Sequence, residues 1–287
     1  MVETLLNLVV QGVLIGGLYA LFALGLSLSL GVMRFVNIAH GDMIVLFSLV
    51  LLSLTGLVGW SPFLVALILT PAAFDVGYML QRVLLQRTVG KGVLPILLVT
   101  FGLSIIIQNG LLEAYGANTR KLMGGAVELA AFRVGPIDVG VFPLLVFLLA
   151  VGLIAGLDAF LHHTSIGARI RAVSDDPAAA DLIGLSAARV YPVAMGVVGV
   201  TMMAAAACMS VWTNFDPAIG PSRLLAAFEA VVLGGLGSLW GALAGGVILG
   251  VAQNFGSQLD ASWQILAQHL VFLAALVLRP QGLFARS

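Results

Sequence analysis

Charged side chains are scarce in this chain. Its 13 Lys and Arg and 13 Asp and Glu make up 9% of 287 residues and cancel to a net charge of zero. So few charges cannot cover a water-soluble domain of this length. The balanced total excludes the basic surface that nucleic acid or a polybasic membrane-surface role calls for. The single cysteine, Cys208, cannot form an intrachain disulfide and leaves the redox compartment undetermined. A GxxxxGK[ST] phosphate loop, an HExxH pair, a cysteine cluster and a nucleophile elbow are all missing, so the chain offers no catalytic constellation and no metal site. The string GGLGSLWG is rich in glycine, but it lacks the GxGxxG spacing and a preceding strand. No basic stretch precedes the first apolar run, which is too long for a signal-peptide core and reads as a retained span.

What the chain has in abundance is apolar sequence: 61% hydrophobic residues and a mean hydropathy of +1.12. A span needs about 20 apolar residues at 1.5 Å each to cross roughly 30 Å of hydrocarbon. Candidate segments are 5–31, 43–58, 62–80, 94–112, 139–159, 190–212, 224–236, 239–252 and 263–278. The expected fold is all-α: a polytopic integral membrane protein with eight or nine transmembrane or re-entrant helices, forming one domain over residues 1–287. The seventh and eighth segments are short, and read either as two crossings or as one re-entrant hairpin beside a crossing. GxxxG pairs at Gly12/Gly16, Gly237/Gly241, Gly241/Gly245 and Gly246/Gly250 predict close helix packing within the subunit.

The longest polar interval, His162 to Arg189, holds three Arg and three Asp. Basic residues near span ends stay on the cytoplasmic side. If this interval is inside, so are Arg34, Arg82, Arg87, Lys91, Arg169, Arg171, Arg189, Arg279 and Arg286. Arg120, Lys121, Arg133 and Arg223 then fall outside, among Glu3, Glu113, Glu128, Asp138, Asp216 and Asp260. The N-terminus is expected outside and the C-terminus in the cytoplasm, in a cell (inner) membrane. Within the interval, Asp176 suits a cap, Pro177 a first helical position and Gly184 a left-handed stop, predicting a small helix from Pro177 to Ile183. Ser165 suits the cap of a second helix with Ile166, Ile170 and Val173 on one face. Helices this short need a surface to dock on, either on this chain or on a cytoplasmic partner.

Two ionisable residues interrupt the spans, Asp75 and Glu229. Each costs about 2.5–3.5 kcal/mol at mid-membrane. Asp75, with Pro71 before it and Arg82 two turns on, reads as a structural carboxylate near the inner interface. Glu229 is the better candidate for a transport role. The polar interruption VMRFVNIAHGDM, with Asn37, His40, Gly41 and Asp42, reads as a cytoplasmic turn with Asp42 capping the next span. A broken helix lining a cavity is the less favoured reading.

Four stretches in order carry a resemblance over nearly the whole chain: GGLYALFALGLSLSLGVMRFVNIAHGDM, SIGARIRAVSDDPAAADLIGL, FEAVVLGGLGSLWGALAGGVILGVAQN and LVLRPQGLF. They resemble the permease subunits of branched-chain (hydrophobic) amino-acid ABC importers, of the H-subunit type, where the first stretch ends in a motif like NFAHGE. The resemblance implies a permease of the type II-like kind that carries branched-chain or other small hydrophobic amino acids. It pairs with a second permease subunit, either an M-type homologue or another copy. It also implies two ATP-binding subunits that use ATP and Mg, and an extracytoplasmic substrate-binding protein; this chain itself would be no enzyme and hold no cofactor. The 162–189 interval resembles the EAAxxxG coupling motif, with Ala178, Ala179, Ala180 and Gly184 in the EAA and Gly positions. Ala178 stands where the family has Glu, and Arg171, Asp175 and Asp176 precede it, so the identity of the acidic contact stays open. Path residues expected on this reading are Asn37, His40, Gly41, Glu229, Gly234, Gly235 and Gly237. The alternatives are transport of urea, short amides or small organic acids within the same family, or an ion-coupled secondary transporter, for which Asp75, Glu229 and His40 are the only relay candidates.

Overall fold

The computed structural model describes residues 2–135, 137–279 and 281–284; Pro280 of the closing motif and Arg286 lie outside the described residues. Every predicted apolar segment is helical over most of its length, because backbone N–H and C=O groups surrounded by lipid must be satisfied within their own segment. In order the helices are α1 (Val2–Met33), α2 (His40–Val58), α3 (Pro62–Met79), α4 (Val93–Tyr115), α5 (Ala126–Leu129), α6 (Val141–His163), α7 (Ser165–Asp175), α8 (Pro177–Leu182), α9 (Ala187–Trp212), α10 (Gly220–Gly234), α11 (Leu239–Leu259) and α12 (Trp263–Leu278). A π turn and a 3-10 turn carry α3 on to Arg87. Seven of these helices are long and apolar enough to cross a membrane, and α12 is a shorter apolar helix.

Helices α1 and α9 form the buried centre, whereas α3, α4 and α6 show most of their surface. Helix α11 lies antiparallel along α1. A methyl on Gly12 or Gly16 would press on the backbone of Val251 or Val247, and one on Gly246 or Gly250 would meet Ala20, Gly16 or Gly12. Gly241 and Gly245 press in the same way on Gly234 and Ala230 of α10. The GxxxG pairs therefore pack helices within this subunit, as expected for membrane helices that gain little from hydrophobic drive and much from close backbone approach.

Long-range contacts define two faces. At one, the Asn254 amide of α11 donates to the Leu8 carbonyl of α1 (2.6 Å), and Asn7 accepts from the backbone N–H of Asp138 at 3.1 Å. Asp138 belongs to a two-stranded antiparallel ribbon, β1 (Ala131–Val134) with β2 (Ile137–Gly140), that decorates the helical fold. At the other face Gly31 of α1 abuts Gly237, and α7, which carries α8 behind it, packs on the end of α1. After α12 the chain returns to this second face, where the Leu283 N–H bonds the Leu233 carbonyl at 2.8 Å.

Candidate functional site

The stretch read as a turn proves to be a re-entrant segment. Helix α1 ends at Met33, Arg34 takes a left-handed conformation (φ 57°), and the chain runs without regular structure to Asn37 before turning into α2. It climbs back along α1 far enough for His40 Nε2 to donate to the Phe22 carbonyl at 2.9 Å. Phe22 lies eleven residues before Met33, roughly 16 Å of helix. Helix α2 therefore starts at depth, and the broken-helix geometry replaces the expected turn. Unwound backbone is tolerated there because Asn37, His40 and Asp42 are all buried in protein.

Helix α10 also starts at this depth. A methyl on Gly41 would overlap the Gly220 carbonyl, and one on Gly220 would overlap the Asp42 carboxylate, so two glycines let the two helix starts touch. Arg223, expected in an outer loop, instead lies in the first turn of α10 with its guanidinium 5.6 Å from the centre of the Phe22 ring. Asp42 does not cap α2. Its carboxylate accepts from Ser104 Oγ at 2.5 Å and Gln108 Nε2 at 2.9 Å, which ties α4 to the junction. Asn37 Oδ1 accepts from the Ala39 N–H at 3.1 Å, while Asn37 Nδ2 and His40 Nδ1 have no hydrogen-bond partner among the described residues. Two helix N-termini, with their partial positive charge, thus converge on one buried polar centre.

Glu229 sits further along α10 and is closed off. Gln268 Nε2 donates to its Oε2 at 2.9 Å, and His269 Nδ1 meets its Oε1, so the carboxylate fastens α12 to α10. Gly234 ends α10, and Gly235 and Gly237 take positive φ (103° and 80°) to turn the corner into α11. Asp75, by contrast, is exposed on α3.

The polar interval folds as the end of α6, then α7, α8 and the start of α9; His162 and His163 complete α6. Thr164, not Ser165, caps α7, its Oγ1 accepting from the Gly167 N–H at 3.0 Å. Ile170 and Val173 are buried as expected, but Ile166 is exposed. Asp176 Oδ1 accepts from the N–H groups of Ala178 and Ala179, both at 3.0 Å, and Gly184 takes φ 81°, so the expected starting cap and the expected stop of α8 both operate. Ala180 is buried, whereas Ala178 and Ala179 are exposed. Leu182 and Ile183, at the end of α8, are 90% and 73% exposed.

Helix α7 is clamped to α1. Ser174 Oγ donates to the Gly31 carbonyl at 2.7 Å, and Arg34 Nη2 donates to the Ser174 carbonyl at 3.1 Å. Beside the clamp, a cavity of about 650 Å³ brings Arg171 and Asp175 together with Gly237, Ser238, Asp158 and His162. Arg171 Nε is buried there without a hydrogen-bond partner among the described residues. The sequence reading missed Arg34, Ser174, Gly220, Ser104 and Gln108. Only Ser104 and Gln108 left a signal, two polar residues four apart on one face of an apolar helix. Among the described residues no group of three or more His, Cys, Asp or Glu could hold a metal ion.

The family profile described as the permease component of branched-chain amino acid transport systems matches residues 8–278. The chain is similar to the high-affinity branched-chain amino acid transport permease BraD of Pseudomonas aeruginosa, 28% identical over 98% of this chain and 96% of the relative. It is also similar to LivH of Escherichia coli K12, 26% identical over 96% and 94%. A third relative is the probable permease LivH of Methanocaldococcus jannaschii, 25% identical over 96% and 92%. No solved structure matches the chain.

Proposed function

Because the chain belongs to the family of branched-chain amino acid transport permease components, we propose that it is the membrane-spanning subunit of an ATP-driven importer for branched-chain or other small hydrophobic amino acids. It forms half of the translocation path together with a second permease subunit, an M-type homologue or another copy of itself. Two ATP-binding subunits, which use ATP and Mg, dock on the face that carries α7 and α8. A substrate-binding protein delivers from the opposite face. The α7–α8 face is then cytoplasmic, with the N-terminus outside and the C-terminus inside.

The observation that carries this reading is α8 itself. A helix of six residues cannot hold together alone, yet it is capped at both ends and offers Leu182 and Ile183 to water. Such a pair suits a groove on a partner. Asp176 already spends Oδ1 on its own helix start, which leaves Asp175 and Asp181 as the free carboxylates for the contact. Ahead of α8 in the chain, the Arg34 and Ser174 clamp passes a displacement of α7 to the end of α1 and the irregular segment after it. That segment leads to Asn37, His40 and Gly41, against the start of α10. A partner that binds two arrangements of α8 with different strength shifts the equilibrium of the attached spans, and equal binding would shift nothing.

The test is purification in mild detergent followed by reconstitution. ATP-binding subunits should co-purify, and vesicles should take up radiolabelled leucine only with ATP on the α8 side. Uptake driven by a proton or sodium gradient without ATP would favour the secondary-transporter reading instead.

A further inference from the structure

Three carboxylates lie at depth on the spans, and two of them are closed. Asp42 is held by Ser104 and Gln108, and Glu229 by Gln268 and His269. Asp75 is the exception. It is exposed, and it makes no hydrogen bond or ion pair among the described residues. The nearest basic residue along the helix, Arg82, gives its Nη1 to the Tyr78 hydroxyl at 2.8 Å instead.

The depth of Asp75 follows from its neighbours. Ala73 and Gly77, on the buried side of α3, pack on Gly199, Gly196 and the Met195 carbonyl of α9. Those residues stand eight to twelve positions beyond Ala187, about 12–18 Å along the helix at 1.5 Å per residue. Measured along α3, Arg82 lies seven residues, about 10 Å, further on. A short aspartate side chain cannot reach the interface across that distance, as a Lys or Arg stem does. Left against lipid its charge would carry an insertion cost that no partner among the described residues offsets.

The rest of its face tells the same story. Leu67, Pro71 and Asp75, at four-residue spacing, share one exposed side of α3. Pro71 has no N–H to give to the Leu67 carbonyl, so the backbone on this side is one donor short. Ile68, Ala72, Val76 and Met79 are apolar or small around the carboxylate. One carboxylate among aliphatic side chains suits the ammonium group and the side chain of an aliphatic amino acid, whose own carboxylate is left to another part of the path.

We propose that the Asp75 face of α3 lines the aqueous path in the assembled transporter, and that the Asp75 carboxylate receives the ammonium group of the transported amino acid. The inference rests on the permease reading. Asp75 thereby exchanges roles with Glu229, whose carboxylate is taken up in holding α12.

The test uses the whole transporter in proteoliposomes, with Cys208, which is buried, replaced by Ser. With Asp75→Cys, a water-soluble charged methanethiosulfonate should label position 75 as completely as a lipid-soluble maleimide does, and leucine under transport conditions should slow that labelling. Asp75→Asn should raise the KM for leucine uptake about tenfold or more with maximal rate and subunit composition little changed, and Asp75→Glu should restore most of it. Labelling by the maleimide alone, or an unchanged KM in Asp75→Asn, would overturn the assignment. So would loss of a co-purifying subunit from Asp75→Asn, because the missing countercharge would then belong to that subunit. Wild-type vesicles without ATP-driven leucine uptake would instead sink the permease reading itself.

Discussion

Arg34 and Ser174, 140 residues apart in sequence, are joined by a hydrogen bond of 3.1 Å from the Arg34 guanidinium to the Ser174 carbonyl. That carbonyl belongs to the last turn of α7, where the unpaired C=O groups of a helix accumulate partial negative charge. The same guanidinium reaches the Asp175 carbonyl at 3.5 Å, and Ser174 answers with its hydroxyl on Gly31. The end of a membrane helix and a helix on the aqueous face are thus locked into one body.

Arg34→Ala should separate the two helices. The interaction is exposed, so the stability loss is about 1 kcal/mol, but uptake should fall much further than ATP hydrolysis by the assembled transporter. Arg34→Gly relieves the left-handed backbone and still removes the clamp, so it should share the uptake defect. Equal uptake by wild type and both variants would show that α7 drives nothing through α1.

Asp176→Ala removes the cap of α8 and should cost about 1 kcal/mol of local stability, whereas Asp176→Asn keeps a side-chain oxygen in place and should behave nearly as wild type. Gly184→Val places a branched residue at φ 81° and should be worse than Gly184→Asn. Co-purification of ATP-binding subunits and ATP-driven uptake are the readouts. Substitution of Leu182 by Asp should weaken subunit retention without altering the thermal stability of the isolated permease.

The α2–α10 junction admits no added volume. Gly41→Ala or Gly220→Ala should lower stability by about 1–3 kcal/mol, because the Gly220 carbonyl stands against the first and the hydrogen-bonded Asp42 carboxylate against the second. Gly102→Ala and Gly152→Ala, where no atom lies within 4 Å, are the matched controls and should be tolerated. Melting temperature in detergent discriminates the two pairs.

Asp42→Ala leaves the Ser104 and Gln108 side chains without their acceptor at a buried site, a loss of about 1–3 kcal/mol. Replacing Ser104 and Gln108 together with the aspartate by apolar residues of similar shape should recover part of it. If the triple variant is no more stable than Asp42→Ala, the carboxylate is not held in place by these two donors.

On the opposite face, Glu128 is held below its ordinary value, first by the hydrogen bond from Lys121 and then by the Gly124 N–H. A depressed folded value means that the contact stabilises the 116–140 connection above the unfolded pKa and is lost as pH falls through the folded one. Hydrogen exchange in this connection should therefore quicken on acidification below about pH 4.3, the ordinary glutamate value. Glu128→Gln should abolish that dependence, and salt should blunt it because the pair is only partly covered.

Much of the fold was legible because its signals are local. Residues 263–278 were expected as a span, and α12 occupies them; α8 begins at Pro177 because Asp176 caps it from the adjacent position, and Gly184 closes it about two turns later. Helix α11 outran its expected end at residue 252 because Gln253 and Asn254, polar by themselves, find partners in Tyr19 and the Leu8 carbonyl. The cap of α7 was misplaced by one residue, since Thr164 and Ser165 offer the same hydroxyl and only the backbone decides which faces Gly167.

Composition and periodicity determined that the chain spans a membrane, that it does so with helices, and that a small capped helix interrupts it, because lipid and capping impose their rules residue by residue. Depth was decided only by the tertiary structure. Asn37, His40 and Asp42 read as a turn because hydropathy reports polarity and not position, and only contact with Phe22, Ser104 and Gly220 places them inside. The same packing closed Glu229 against α12 and left Asp75 open. In sequence each is a single carboxylate in an apolar span, and the sequence ranked them the other way; which one keeps a free charge depends on the helices that fold against it.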